Sequence, residues 1–109
     1  MKKIIYAGTE VLTGDEIARA LLRFGEVLAQ VGSAETVEVP VRETDGSVGV
    51  ASLLVGPSSQ MVARDADDSL EELVDEATVS EMRERTRRLR PHADGAEEAP
   101  PRIDWQDDL

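Results

Sequence analysis

The residues capable of catalytic chemistry are few and scattered. The single histidine, His92, directly follows Pro91 in the C-terminal part of the chain. A general base needs a defined pocket and an orienting partner, and a tail position offers neither. Ser52, Ser58 and Ser59 have no base close in sequence, and Gly56-Pro57-Ser58-Ser59 is not the G-x-S-x-G nucleophile elbow. The chain has no cysteine, which excludes a thiol nucleophile, a disulfide framework and a thiolate metal site. One histidine excludes a multi-histidine cluster. Asp65, Asp67 and Asp68 form D-x-D-D, without the glycine and closing glutamate of a calcium loop. No catalytic, cofactor-binding or metal-ligating residue is expected, and the chain reads as a non-enzymatic protein.

Three further stretches have the residue types to bind something. Ala7 to Asp15 reads as a link from a strand to a helix N-terminus, where anions bind. It lacks the P-loop ending and the G-x-G-x-x-G spacing, and Glu10, Asp15 and Glu16 would repel phosphate. The expectation there is a turn and a cap, and a small-ligand site is the lowest-ranked reading. Arg83, Arg85, Arg87, Arg88 and Arg90 lie within eight residues, a density suited to phosphate. No aromatic is interleaved for base stacking, and the acids just before them oppose a polyanion. The plainer reading is a helix end laced with Glu–Arg pairs. Finally, Ile103, Trp105 and Leu109 stand among acids at the C-terminal end. A tryptophan gains most when buried, so these residues read either as a short docking peptide for another protein or, more plainly, as a tail whose Trp105 packs back on this domain or makes no contact.

Charge divides the chain of 109 residues unevenly. Residues 1–64 carry six bases and eight acids; residues 65–109 carry six and fifteen, making the net charge −2 and −9 respectively. Broad electrostatic binding to nucleic acid or an anionic membrane is therefore not expected, except locally at Arg83–Arg90. The organisation expected is a compact domain over 1–64, an acidic-then-basic helix over 65–90 and a disordered acidic tail over 91–109. The apolar run after Lys2-Lys3 stops at Gly8, short of a signal peptide, and no stretch is long enough for a membrane span. A cytoplasmic location follows as the expectation.

The elements that would position these residues are legible from periodicity. Lys2–Ala7 is a short strand. Ile17, Leu21, Phe24, Leu28 and Val31 repeat at four, three, four and three residues, one face of a helix over about 14–31. Thr13 with Glu16 fits a capping box, and Gly32 fits a helix stop. Ala18, Leu22, Gly25 and Ala29 make a second row whose small residues suit close approach of another helix, from this chain or from a second copy. Val37, Val39 and Val41 alternate with Thr36, Glu38, Pro40 and Arg42, giving a strand with one dry face. Pro40 places it at an edge or turns its nitrogen away from the ladder. Thr44-Asp45-Gly46-Ser47 predicts a hairpin turn into a partner strand over 48–55. Leu53-Leu54-Val55 suggests an end that is bulged or buried on both sides, and 59–64 is a weaker strand. A helix over about 69–90 is capped by Asp68 or by Ser69 with Glu72, and Pro91 ends it. Its front patch, Leu70, Leu73, Val74 and Ala77, is expected to dock. The rear patch, Val79, Met82, Thr86 and Leu89, is expected to reach elsewhere.

The fold class expected is α+β: a β-α-β-β-β domain with one amphipathic helix on a mainly antiparallel sheet, then the charged helix and tail. The functional expectation is an interaction protein working through its acidic C-terminal helix and tail, with another protein as partner and a homodimer as a further possibility. Candidate partner contacts are Arg83, Arg85, Arg87, Arg88, Ile103, Trp105 and Leu109. The second expectation is a nucleic-acid-linked regulator, through Arg83–Arg90 or through acidic mimicry.

Overall fold

The computed structural model describes residues 1–67 and 69–89. The elements in order are β1 (Lys2–Tyr6), β2 (Thr9–Thr13), α1 (Asp15–Val31), β3 (Glu35–Arg42), β4 (Val48–Val55), β5 (Met61–Asp65) and α2 (Glu76–Leu89). The class is α+β with antiparallel sheets, as periodicity implies. The strands form two sheets, β2-β1-β5 and β3-β4. Asp68, Arg90, His92 and the tail triad Ile103, Trp105 and Leu109 lie outside the described residues.

The extra strand is β2. Thr9–Thr13 is a ladder partner of β1, so the segment expected to link strand and helix is a hairpin instead. Its two-residue turn, Ala7-Gly8, has positive φ at both positions, 53° and 80°. That is the turn whose twist matches two flanking strands. The β-branched residues Thr9, Val11 and Thr13 carried the signal, which the acids around them obscured.

Helix α1 has the expected span and its stop: Gly32 is left-handed, and the amides of Gly32 and Ser33 bond back to Ala29 and Leu28. Its start differs. The N-cap is Gly14, with no side-chain cap, because the Thr13 hydroxyl donates instead to the Pro40 carbonyl at 2.7 Å. This bond joins the end of β2 to β3 across the gap between the sheets. Ile17, Leu21, Phe24 and Leu28 are fully buried, together with Ala18, Ala20 and Val27. Val31 is 46% exposed, so the apolar face ends one turn early.

The β3–β4 hairpin pairs Glu35 with Val55 through Arg42 with Val48, without a bulge. Leu53 and Val55 point into the core and Leu54 points out, so strict alternation persists where a break was expected. The turn carries a left-handed Gly46, and the Glu43 amide bonds the Ser47 carbonyl at 2.7 Å.

Helix α2 begins at Glu76, seven residues later than expected. Asp75 caps it, accepting from the Thr78 amide at 3.0 Å. The docking faces are reversed relative to expectation. Val79, Met82 and Thr86 are buried and Leu89 packs on the core, whereas Val74 is exposed. Of the front patch only Leu73 is buried. Helix propagation from residue 69 loses to a different use of residues 69–75, which cross the N-terminus of α1. There the approach is so close that a Cβ on Gly14 would lie 1.8 Å from the Leu73 carbonyl oxygen.

Gly25 contrasts with Gly14. A Cβ there would meet only the Met61 methyl at 3.1 Å and a Val55 methyl at 3.4 Å. At Gly25, in the small-residue row, the near neighbours are thus strands of the same chain. Ala18 in that row is buried, Leu22 half-buried and Ala29 exposed. Gly14→Ala is expected to lower stability by about 1–3 kcal/mol, because backbone must move. Gly25→Ala should be neutral or stabilising by up to about 1 kcal/mol, since a flexible methionine end yields and the helix gains propensity. Thermal or urea unfolding of the two variants checks the opposite signs.

Candidate functional site

Helix α2 and the segment before it form the surface on which acids concentrate. Glu71, Glu72, Glu76, Glu81 and Glu84 are all exposed. The acidic front of α2 is flanked by two grooves, and Asp75 lines both.

The groove between α2 and β3 has a volume of about 460 Å³. Its apolar lining includes Pro40, Val50 and Met82, and its acids are Glu38, Asp75 and Glu81. The only base in the lining, Arg85, is already engaged. Its guanidinium bonds the Glu35 carboxylate at 2.6 Å and the Thr36 carbonyl at 3.1 Å, and lies 4.8 Å from the centre of the Phe24 ring. The groove therefore presents uncompensated negative charge beside apolar surface. None of Glu38, Pro40, Val50, Glu81 or Met82 stands out in sequence as a site. Glu38 reads as the wet face of a strand and Met82 as part of a helix stripe. Their meeting depends on α2 lying beside β3.

The second groove, about 540 Å³, runs between the start of α1 and the front of α2. Ile17, Leu73, Val74 and Val79 supply apolar lining, with Glu16, Glu72 and Glu76 among its acids. Arg83 and Arg87 also line it, each within salt-bridge distance of a carboxylate, on Glu16 and Glu84 respectively.

The arginine cluster is therefore distributed. Arg83, Arg87 and Arg88 are well exposed and Arg85 is not, so the four do not form one cationic face. Arg88 shares Glu84 with Arg87. Those neighbouring guanidinium groups hold the Glu84 carboxyl below the usual carboxylate range, the Arg87 hydrogen bond contributing most.

The serines and aspartates have structural roles. Ser59 exchanges a hydrogen bond with the Tyr6 hydroxyl at 2.7 Å and accepts from the Gly56 amide at 2.9 Å. The Ser52 hydroxyl lies 3.4 Å from the Glu38 carboxylate. Asp65 pairs with Lys2, and Asp67 accepts from the Ser69 amide at 2.9 Å. Among the described residues no three metal-ligating side chains come together. No described helix is long and apolar enough to cross a membrane.

Glu72, expected to cap its own helix, serves α1 instead. One carboxylate oxygen accepts from the Asp15 amide at 2.6 Å and the other from the Met1 ammonium at 2.8 Å. The ammonium, then the amide, hold the Glu72 carboxyl below its ordinary range. Glu72 and then Asp15 raise the Met1 ammonium above its own. A lowered carboxyl stabilises the fold fully above its unfolded value and loses that contribution as pH falls through the folded one. A raised ammonium stabilises fully below its unfolded value and loses that contribution as pH rises through the folded one. The pair is thus worth most between the ordinary carboxylate and α-amino values. Glu72→Gln should lower stability near neutrality by about 1 kcal/mol or less, since the side chain is 40% exposed and screened by water. The difference from wild type should shrink in acid and again in alkali, as read by thermal unfolding across pH.

No protein-family model, curated protein or solved structure matches this chain.

Proposed function

We propose that this chain is a small non-enzymatic interaction protein that takes a basic protein segment on the acidic surface of α2. The carrying observation is the α2–β3 groove, where Glu38, Asp75 and Glu81 border Pro40, Val50 and Met82 while the one arginine is committed elsewhere. Apolar surface supplies affinity when covered, and uncompensated acids favour Lys or Arg and speed encounter. On sequence grounds, Ile103, Trp105 and Leu109 extend the same role as a docking peptide.

Direct phosphate binding by Arg83–Arg90 is the weaker reading. The four described arginines do not share one cationic face, Arg85 is tied to Glu35, and the acids of the same helix oppose a polyanion.

The test is fluorescence-polarisation titration of the full chain with labelled peptides of matched length: basic and apolar, neutral and apolar, and acidic. The basic peptides should bind, more weakly as salt rises. Glu81→Lys with Glu38→Lys should reduce that binding at least about tenfold, roughly 1.4 kcal/mol, at unchanged circular dichroism. Equal binding of neutral and basic peptides, or binding indifferent to the two substitutions, would overturn the reading. A short duplex in the same assay should remain free even at low salt, where phosphate contacts are strongest.

A further inference from the structure

We infer that β4 is a self-pairing edge, through which two copies of this chain join their β3–β4 hairpins into one four-stranded antiparallel sheet.

The hydrogen-bond parity of the hairpin shows which backbone groups are free. The Glu43 amide bonds Ser47, so odd-numbered residues face across the hairpin. The Thr36 and Pro40 carbonyls accordingly point the other way, where Arg85 and Thr13 donate to them. The same register turns the N–H and C=O groups of Val48, Val50, Ser52 and Leu54 toward the outer edge of β4. Tyr6 takes the Leu54 carbonyl. For Val48, Val50 and Ser52 no partner is present among the described residues.

The edges of the two sheets are protected differently. The outer edge of β3 is closed by Pro40, which has no N–H, and by the Thr13 and Arg85 contacts. On β5, the strand carries Arg64 and Asp65. Natural edge strands are usually blunted by charge, proline or a bulge. β4, Val-Gly-Val-Ala-Ser-Leu-Leu-Val, has none of these. It also carries three large exposed apolar residues: Val48 at 54%, Val50 at 67% and Leu54 at 65%.

A second copy fits this edge better than an unrelated strand, because the pattern is self-complementary. A two-fold axis at Val50 sets Val50 against its own copy and Val48 against Ser52, so all three free residues pair in both chains. On the outer face, register then fixes the rows. The central row is Pro40, Val50, Val50 and Pro40, without charge. Each flanking row runs Arg42, Val48, Ser52 and Glu38, with opposite charges at its two ends. No like charges meet on any row. For a chain with net charge −11 that matters, because two copies repel one another at long range.

Sedimentation velocity of the full chain over a wide concentration range tests this. The mass should move from 11.9 kDa toward twice that value as concentration rises. Val50→Pro removes an N–H that the β3–β4 ladder does not use, and Val50→Lys places charge at the axis. Both should stay monomeric with wild-type circular dichroism. Amide exchange on the wild type gives a readout that does not rely on variants: Val48, Val50 and Ser52 amides should slow as concentration rises. A wild type that stays at one chain's mass overturns the proposal, as when the edge serves a different protein's strand. So does a dimer with concentration-independent exchange at these amides, or a dimer that persists in folded variants.

Discussion

The Glu72 carboxylate meets two positive poles at once, the Met1 ammonium and the first amide of α1. The described residues from Glu72 through α2 are anchored at their start by that meeting. A helix start leaves amides unsatisfied, and the Thr13 hydroxyl, which could have served one, is spent on β3. Glu72 supplies an acceptor from 57 residues away in sequence. Gly14 lets Leu73 come close enough to bury its side chain and to bring its amide within 3.2 Å of the Met1 sulfur. With residues 72–73 fixed, Asp75 can start α2 beside α1, and α2 then closes the core with Val79 and Met82. Two acids of this surface, Glu72 and Asp75, follow from this geometry. A segment that must hold a helix N-terminus and cap another is naturally rich in carboxylates.

Arg85 makes the complementary contact at the other end of α2. It spans an aromatic ring of α1, a carboxylate of β3 and a backbone carbonyl of the same strand. Planar geometry lets one guanidinium satisfy all three, which a lysine could not. The groove beside β3 remains negative because of this engagement. Of the basic half of the helix, Arg85 is used for structure, while Arg83, Arg87 and Arg88 stay at the surface.

Local pattern sufficed where burial follows simple periodicity. The core face of α1, the alternation of β3 and the Asp45-Gly46 turn were all legible, because each depends on neighbours within a few residues. What depended on distant partners was not. The capping box at Thr13 and the start of α2 were both misread for one reason: Glu72 and Thr13 had better partners far away in sequence. The β2 strand was missed because Ala7-Gly8 is a less marked turn than Asn-Gly, and because Glu10 suggested a loop. Glu38, Glu81 and Met82 had no sequence signal as a group, since only the docking of α2 brings them to one groove.

The split between the two sheets has a consequence for how the molecule breathes. β2 and β3 share no ladder, and the two sheets are bridged by the Thr13–Pro40 and Tyr6–Leu54 bonds and by packing on α1. Cooperative units in small proteins separate where such bonds are fewest. Were the two sheets to part, the β3–β4 hairpin would leave as one paired unit while β1, β2 and β5 stay paired. That motion would expose Val37, Val39, Val41, Leu53 and Val55 together, a row of aliphatic side chains in extended conformation. The same hairpin that offers an edge in the folded state would then offer an apolar face as well.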